Sequence, residues 1–352
     1  MPAASNSVDS FRVARAAGVS RSTVSRVLSR PEVVRPETRE RVMDAIRHLG
    51  YTPKLSGQLL TGKKSNTIGL FISTGSPTST QDLQDPHDLD YILRCLLSRA
   101  SLRGFHTLVT LVFDIEDPKV DSKVASMFQQ GRVEAGIFVG FPEEYPSIER
   151  LVDEGYCIGI FDTDVETKRE PNRIVTNFDS SVGESAVDYL VSLGHTRIGA
   201  VHGDLRRFNG RQKHDAFLRS MEKHGLPVRD EWMLNCSFRM DLARDQVRGL
   251  VRSGAELPTA IFATNDSIAL ATVEALEHEG LKVPEDVSVL GADDSFLSRF
   301  FNPALTTFRI DIKEMLEVLT DQVIAYTSSP FESQFSKSWG AVLVERASCR
   351  RL

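Results

Sequence analysis

The chain has 352 residues, more than one ordinary domain of roughly 100–200 residues needs and enough for two or three. With 41% hydrophobic and 26% charged residues it can bury sizeable cores, which excludes a disordered chain, and no apolar run reaches the ~18 residues of a spanning helix. The net charge of −6 conceals a division: residues 1–64 hold 12 of the 42 Lys and Arg but 5 of the 48 Asp and Glu, leaving +7 there and −13 on the remainder. A cationic head on an acidic body points to a polyanionic partner for the head alone, although a solvated basic face would carry the same charge. Residues 1–7 contain no basic stretch followed by an apolar one, so no secretion signal is expected. Cys95, Cys157, Cys236 and Cys349 are far apart and form no Cys-x-x-Cys pair. Buried thiols in a reducing cytosol are therefore expected, with no disulfide framework, no metal and no other cofactor.

The first element is a helix capped by Asp9 and running to about Ala17, with Phe11, Val13, Ala14 and Ala17 as its apolar side. Gly18 suits a tight turn, and Ser20 caps a second helix over 21–29. There Val24, Val27 and Leu28 follow the i, i+3, i+4 spacing of one buried stripe. Ser22, Ser25, Arg26 and Ser29 fall on the opposite face, with Arg21 at the edge. Short hydroxyl side chains let a helix approach phosphates while arginine forks reach guanine O6 and N7, so this face fits the DNA major groove. A third helix starts at Pro36, places Val42, Ile46 and Leu49 at i, i+4, i+7 with Met43 and Ala45 beside them, and ends at Gly50. Three short helices of this kind describe a helix-turn-helix unit.

The run Val13-Ala14-Arg15-Ala16-Ala17-Gly18-Val19-Ser20-Arg21-Ser22-Thr23-Val24-Ser25-Arg26-Val27-Leu28 closely resembles the DNA-binding head of the lactose-repressor family of bacterial regulators. So do Pro36-Glu37-Thr38-Arg39-Glu40-Arg41-Val42 and Leu49-Gly50-Tyr51-Thr52-Pro53. The resemblance implies that Arg21, Ser22 and Arg26 read bases and that Ser20, Thr23 and Ser25 contact phosphates, with Ser29 and Tyr51 also in the DNA-binding set. It further implies a hinge that becomes helical on DNA and pushes a leucine, here Leu60, into the minor groove, where unstacking a base step bends the duplex. Lys54, Gly57 and Gln58 depart from the family's hinge pattern, and Arg35 stands where a Ser or Thr cap is usual. Gly57 costs about 1 kcal/mol in an exposed helix relative to Ala, so a less stable hinge is expected.

From Thr67 short apolar runs alternate with amphipathic segments. Strands are expected over 67–73, 107–113, 136–140, 157–162, 173–176, 197–202, 260–264 and 287–291. Helices are expected over 89–103, 119–130, 147–154, 181–193, 210–224, 243–252, 267–279 and 312–326. This alternation implies doubly wound parallel sheets with right-handed crossovers. Two such sheets form a cleft between their strand C-termini, where small ligands sit.

The resemblance continues through Gly194-His195-Thr196-Arg197-Ile198, Ala263-Thr264-Asn265-Asp266, residues 283–289, Gly291-Ala292-Asp293-Asp294, residues 302–307 and the terminal residues 343–348. It implies a periplasmic-binding-protein-like core in which Asn265 and Asp293 contact an effector. Asn265 can equally cap the next helix, Asp293 can equally cap a turn, and His195 is expected to pack at a helix–strand turn. Where the family grips effector with Arg, this chain has Lys213, four residues before Phe217, with Arg211 as the alternative cation. A lysine cannot make the planar bidentate fork, so a carboxylate or diol would be held differently. The loop from 73 to 89 carries Asp82, Asp85 and Asp88, with Asp90 just beyond it, an acidic entrance suited to a polyol or cation, or simply an acidic surface loop.

No nucleophile elbow, Walker A loop, dinucleotide fingerprint or His-Glu-x-x-His motif is present, so the chain is not expected to be an enzyme. The organisation expected is a helix-turn-helix head (1–52), a hinge (53–64) and an effector-binding and dimerisation core (65–352). Within the core an N-subdomain takes about 65–174 plus 304–330, and a C-subdomain about 175–303 plus 331–352. The function expected is a cytoplasmic, homodimeric repressor of sugar or related catabolic genes that binds a palindromic operator and is switched by a sugar or polyol, with no membrane contact. A carbohydrate-binding protein without DNA function, or a hydrolase, are the alternatives; removing residues 1–64 separates an enzyme, which keeps its activity, from a DNA-binding regulator, which loses its own.

Overall fold

The computed structural model describes residues 9–52, 64–73, 86–113, 115, 117–142, 145–163, 169–178 and 181–352. The chain divides into two compact units, Met1–Asn66 and Thr67–Leu352. Lys54, Gly57, Gln58 and Leu60 of the expected hinge, and Asp82 and Asp85 of the acidic loop, lie outside the described residues.

In the first unit, helix α1 (Ser10–Ala17) begins at Asp9, whose carboxylate accepts from the Arg12 N–H at 2.9 Å. It ends at Gly18 with φ of 63°, a left-handed conformation that glycine adopts without a Cβ penalty. Helix α2 (Arg21–Ser29) begins at Ser20, whose Oγ accepts from the Thr23 N–H at 3.2 Å. Helix α3 (Pro36–Leu49) follows a short 3₁₀ turn; Arg35 gives it no side-chain cap, and Gly50 ends it. Val13, Val24, Val27 and Val42 form the shared core, with Leu28, Ile46 and Leu49 half-buried around it. Two expected apolar residues are outside this core: Phe11 is 61% exposed and Met43 is exposed. At 100° per residue Phe11 points about 110° away from the centre of the Val13, Ala14 and Ala17 face, so helical geometry leaves it in solvent.

The second unit holds two six-stranded sheets flanked by helices, the doubly wound architecture expected. The first sheet comprises β1 (Thr67–Ser73), β2 (His106–Val112), β3 (Ala135–Val139), β4 (Cys157–Phe161), β5 (Arg173–Phe178) and β11 (Phe335–Trp339), in the order β11-β5-β4-β3-β1-β2, all parallel. The second comprises β6 (Ile198–His202), β7 (Met233–Asn235), β8 (Ala260–Ala263), β9 (Ser288–Asp293), β10 (Thr306–Arg309) and β12 (Val342–Val344). Its order is β12-β10-β9-β8-β6-β7, with β12 antiparallel to β10 and the others parallel. The crossover helices are α4 (Pro86–Leu102), α5 (Pro118–Gln129), α6 (Pro146–Asp153), α7 (Val182–Ser192), α8 (Phe208–Lys223), α9 (Met240–Arg252), α10 (Asp266–His278) and α11 (Ile312–Ser328). Each lies within a few residues of its expected position. Strands β3 and β4 are buried along their whole length, as a sheet covered on both faces requires.

The sheets divide the core differently from the sequence expectation. Strand β10 was expected in the N-subdomain but pairs with β9 in the second sheet, and β11 was expected in the C-subdomain but pairs with β5 in the first. Only α11, packed on β3, β4 and β5 between those two strands, belongs to the first sheet as expected. The chain therefore crosses between the sheets after β5, after β10 and after β11. Four strands had no sequence signal: β7, β11 and β12 are short sheet edges whose outer side needs no apolar alternation, and β10 spans only four residues.

Candidate functional site

The head presents one polar helix face. Val24 and Val27 turn inward, and Arg21, Ser22, Ser25 and Arg26 are exposed on the other side of α2. At its N-terminus the Ser20 hydroxyl lies 2.8 Å from the Ser22 hydroxyl and 2.9 Å from the Thr23 hydroxyl. The first turn of α2 contains no acid, so the partial positive charge of the helix start is left for an anion. The Ser29 hydroxyl donates to the Ser25 carbonyl at 2.8 Å and is satisfied within the helix. Tyr51 is half-buried against the head core, and its backbone N–H donates to the Ile46 carbonyl, so packing alone accounts for its place. Leu60 lies outside the described residues.

In the second unit a cavity of about 130 Å³ opens where the C-terminal ends of strands from both sheets meet. Val139, Gly140, Phe141, Phe161, Asp162 and Phe178 line it from the first sheet, with Tyr91 and Ile92 of α4. Arg207, Asn209, Lys213, Phe238, Asn265 and Asp293 line it from the second. Strand C-termini recur in this role because the sheet delivers each side chain to the same end, and the loops beyond are free to vary.

Three of the four expected effector residues meet here. Lys213, only 3% exposed, donates from Nζ to the Thr264 carbonyl at 2.9 Å, lies 3.9 Å from Asp293 Oδ1, and sits 5.6 Å from the Phe178 ring centroid. Asn265 caps α10, accepting from the Ile268 N–H at 2.8 Å, which leaves its amide N–H₂ for the cavity. Asp293 ends β9 with φ of 116°, a backbone conformation that few non-glycine residues adopt. Arg211 is not among the lining residues: on α8 it is two positions from Lys213, about 200° around the helix. The arginine in the wall is instead Arg207, just before α8, packed closely against Gly140; a Cβ on Gly140 would sit 3.2 Å from Arg207 Nη1.

Asp162 is a further wall residue that no sequence motif marks. It follows β4 with φ of 68°, and its Oδ1 is buried without a hydrogen-bond partner among the described residues. Burial pushes its carboxyl up to about 7, although Lys213, Arg207 and hydrogen bonds from Asn209 favour the charged form. Burial likewise draws the Arg207 guanidinium below its ordinary value, with Asp204 and Asp162 opposing. The signal that could have found Asp162 is its position at the C-terminal end of an apolar strand, one residue beyond β4 where Asp293 is the last residue of β9. His195 is structural: buried, it hydrogen-bonds Thr259 Oγ1 at 2.9 Å and the Arg350 carbonyl at 3.1 Å. Among the described residues no helix is long and apolar enough to cross a membrane, and no cluster of three His, Cys, Asp or Glu is placed to hold a metal.

Residues 12–54 match the family described as bacterial regulatory proteins, lacI family, and residues 187–349 match the periplasmic binding protein-like domain. The chain is 32% identical over 308 residues to the HTH-type transcriptional regulator DegA of Bacillus subtilis (strain 168), covering 87% of each chain. It is 28% identical over 316 residues to the HTH-type transcriptional repressor PurR of Actinobacillus pleuropneumoniae serotype 3 (strain JL03), covering 88% of this chain and 90% of that one. Its fold is similar to the Lac repressor dimer bound to operator and the anti-inducer ONPF, with TM-score 0.77 and 24% identity over 98% of this chain and 100% of that one. It is also similar to a transcriptional regulator CelR–cellobiose complex, with TM-score 0.71 and 22% identity over 97% and 99%.

Proposed function

The chain belongs to the lacI family of bacterial regulatory proteins, and from that premise we propose that it is a cytoplasmic repressor of sugar or related catabolic genes. It is a DNA-binding transcription regulator, and on our reading two copies bind operator DNA together, with no catalytic role. One head reads a half-site, and a two-fold pair reads a palindrome. Arg21, Ser22 and Arg26 read base edges, and Ser20, Thr23 and Ser25 bond phosphates. The effector occupies the cavity of the second unit. The observation that carries this is the lining itself: aromatic side chains of Phe161, Phe178 and Phe238 around Asp162, Lys213, Asn265 and Asp293. Aromatic rings cover the apolar face of a sugar ring, while carboxylates accept from its hydroxyls.

Because two sheets contribute to one cavity, a ligand touching both favours their closed arrangement. Its leverage on DNA binding equals its differential affinity for the two arrangements, and a few kcal/mol suffices. The test uses the intact chain and a palindromic duplex selected from a randomised DNA library. Sugars, polyols and nucleosides are screened for release or tightening of the duplex by fluorescence anisotropy and for a raised melting temperature. A compound that does both supports the reading. If only nucleosides act, the sugar assignment is wrong; if nothing acts, the effector reading fails.

A further inference from the structure

We propose that Phe11 and Ser10 govern the base selectivity of the head by holding the Arg21 guanidinium, so that two residues of α1 act on the reading face of α2. The inference rests on Arg21 being a base reader. Phe11 is otherwise unexplained, a 61% exposed aromatic on the wet side of α1. Its ring lies under the Arg21 guanidinium, with Cζ 4.7 Å from the centroid. Ser10 Oγ accepts from Arg21 Nε at 3.0 Å. Helices α1 and α2 share the core of Val13, Val24 and Val27, so the platform and the arginine are carried by one rigid pair.

This contact does two things at once. It covers one face of the guanidinium and uses its Nε, which leaves the two terminal nitrogens as a fork. Among the described residues Ser10 and Phe11 are the contacts of that group, so the fork is free for guanine O6 and N7. An exposed arginine without such support samples many rotamers and loses that freedom when it docks on a base; holding it beforehand removes part of the cost. The charge is the same in either case. The platform therefore acts on discrimination between bases and leaves the general attraction to phosphates unchanged. Phe11 and Ser10 are positioning residues, and a substitution at Phe11 leaves the buried core intact.

The test uses the intact chain and the palindromic duplex it selects from a randomised library, together with every single base-pair variant of that duplex, measured by fluorescence anisotropy. Phe11→Ala should lower discrimination roughly two- to fivefold, the span of an exposed cation–π contact, at the same base pairs that Arg21→Ala affects. The slope of log affinity against log salt should stay at the wild-type value, Phe11→Tyr should retain selectivity, and the double variant should be no less selective than Arg21→Ala. The platform is refuted if Phe11→Ala weakens all duplexes alike, adds its full effect to Arg21→Ala, or changes nothing while Arg21→Ala relaxes the preference. An unaltered preference in Arg21→Ala overturns the base-reading role of Arg21 itself, and the platform with it.

Discussion

Asp162 should make the core less stable as pH rises from acid to neutral, and Asp162→Asn should remove that dependence. Its carboxyl is raised from 3.8 to about 7 by burial in the cavity wall, whereas in the unfolded chain it ionises near its ordinary value. Between those two values the native chain holds a proton that the unfolded chain has lost. Stability therefore falls with rising pH through that window and is level above about 7. Asparagine has the same shape and no charge to bury. The advantage of Asp162→Asn over the wild type should grow by ~1.4 kcal/mol per pH unit, or about 2–3 kcal/mol between pH 5 and pH 7, and then stop growing. Urea unfolding at a series of pH values measures it. Both tryptophans, Trp232 and Trp339, are buried in the second unit, so their fluorescence reports that unit without the head. Every other titrating group is common to the two proteins and cancels in the difference. A gap that stays constant from pH 5 to pH 8 would show that Asp162 is ionised throughout, and the account of its burial would be wrong.

Four further outcomes are expected. Arg26→Ala should cost roughly 1–3 kcal/mol on the selected duplex and relax base preference, whereas Thr23→Ala should weaken all duplexes alike; anisotropy titrations against single base-pair variants distinguish the two. Affinity should fall with salt at a log–log slope near −0.9 per neutralised phosphate, and a flat dependence in the same titration would contradict groove binding. Asp293→Asn, which tolerates the positive φ but loses the charge facing Lys213, should reduce the response to the releasing compound at least ~10-fold with operator affinity retained, read as the dose needed for release. Asp294, whose side chain is 2% exposed, is bound by Arg346, Arg309 and Arg299. Asp294→Ala should destabilise the core by about 1–3 kcal/mol in urea, because it leaves the partly buried Arg346 guanidinium without its carboxylate, while the more exposed Arg309 and Arg299 are compensated by water.

The head was legible in the sequence because its determinants are local. Asp9 and Ser20 cap helices through bonds three residues long, Gly18 and Gly50 end them, and the spacing of Val24, Val27 and Leu28 sets the buried stripe. The crossover helices and buried strands were legible for the same reason, since continuous apolar runs of four to seven residues between amphipathic segments have few other uses. Asn265 and Asp293 could be assigned to the cleft by their place after apolar runs and by resemblance, and Lys213 by resemblance alone. Tertiary structure alone decided the rest. Asp162, Arg207 and Lys213 share one cavity because β4 and the start of α8, far apart in sequence, end at the same rim. It was the rotation of α8 about its axis that removed Arg211 from that wall and left the place to Arg207. β10 and β11 joined sheets opposite to those expected because edge and near-edge strands are allotted by where free backbone hydrogen-bonding groups remain, which no local pattern encodes. Phe11 looked like core in the sequence, and the packing of α1 on α2 made it the support of an arginine instead.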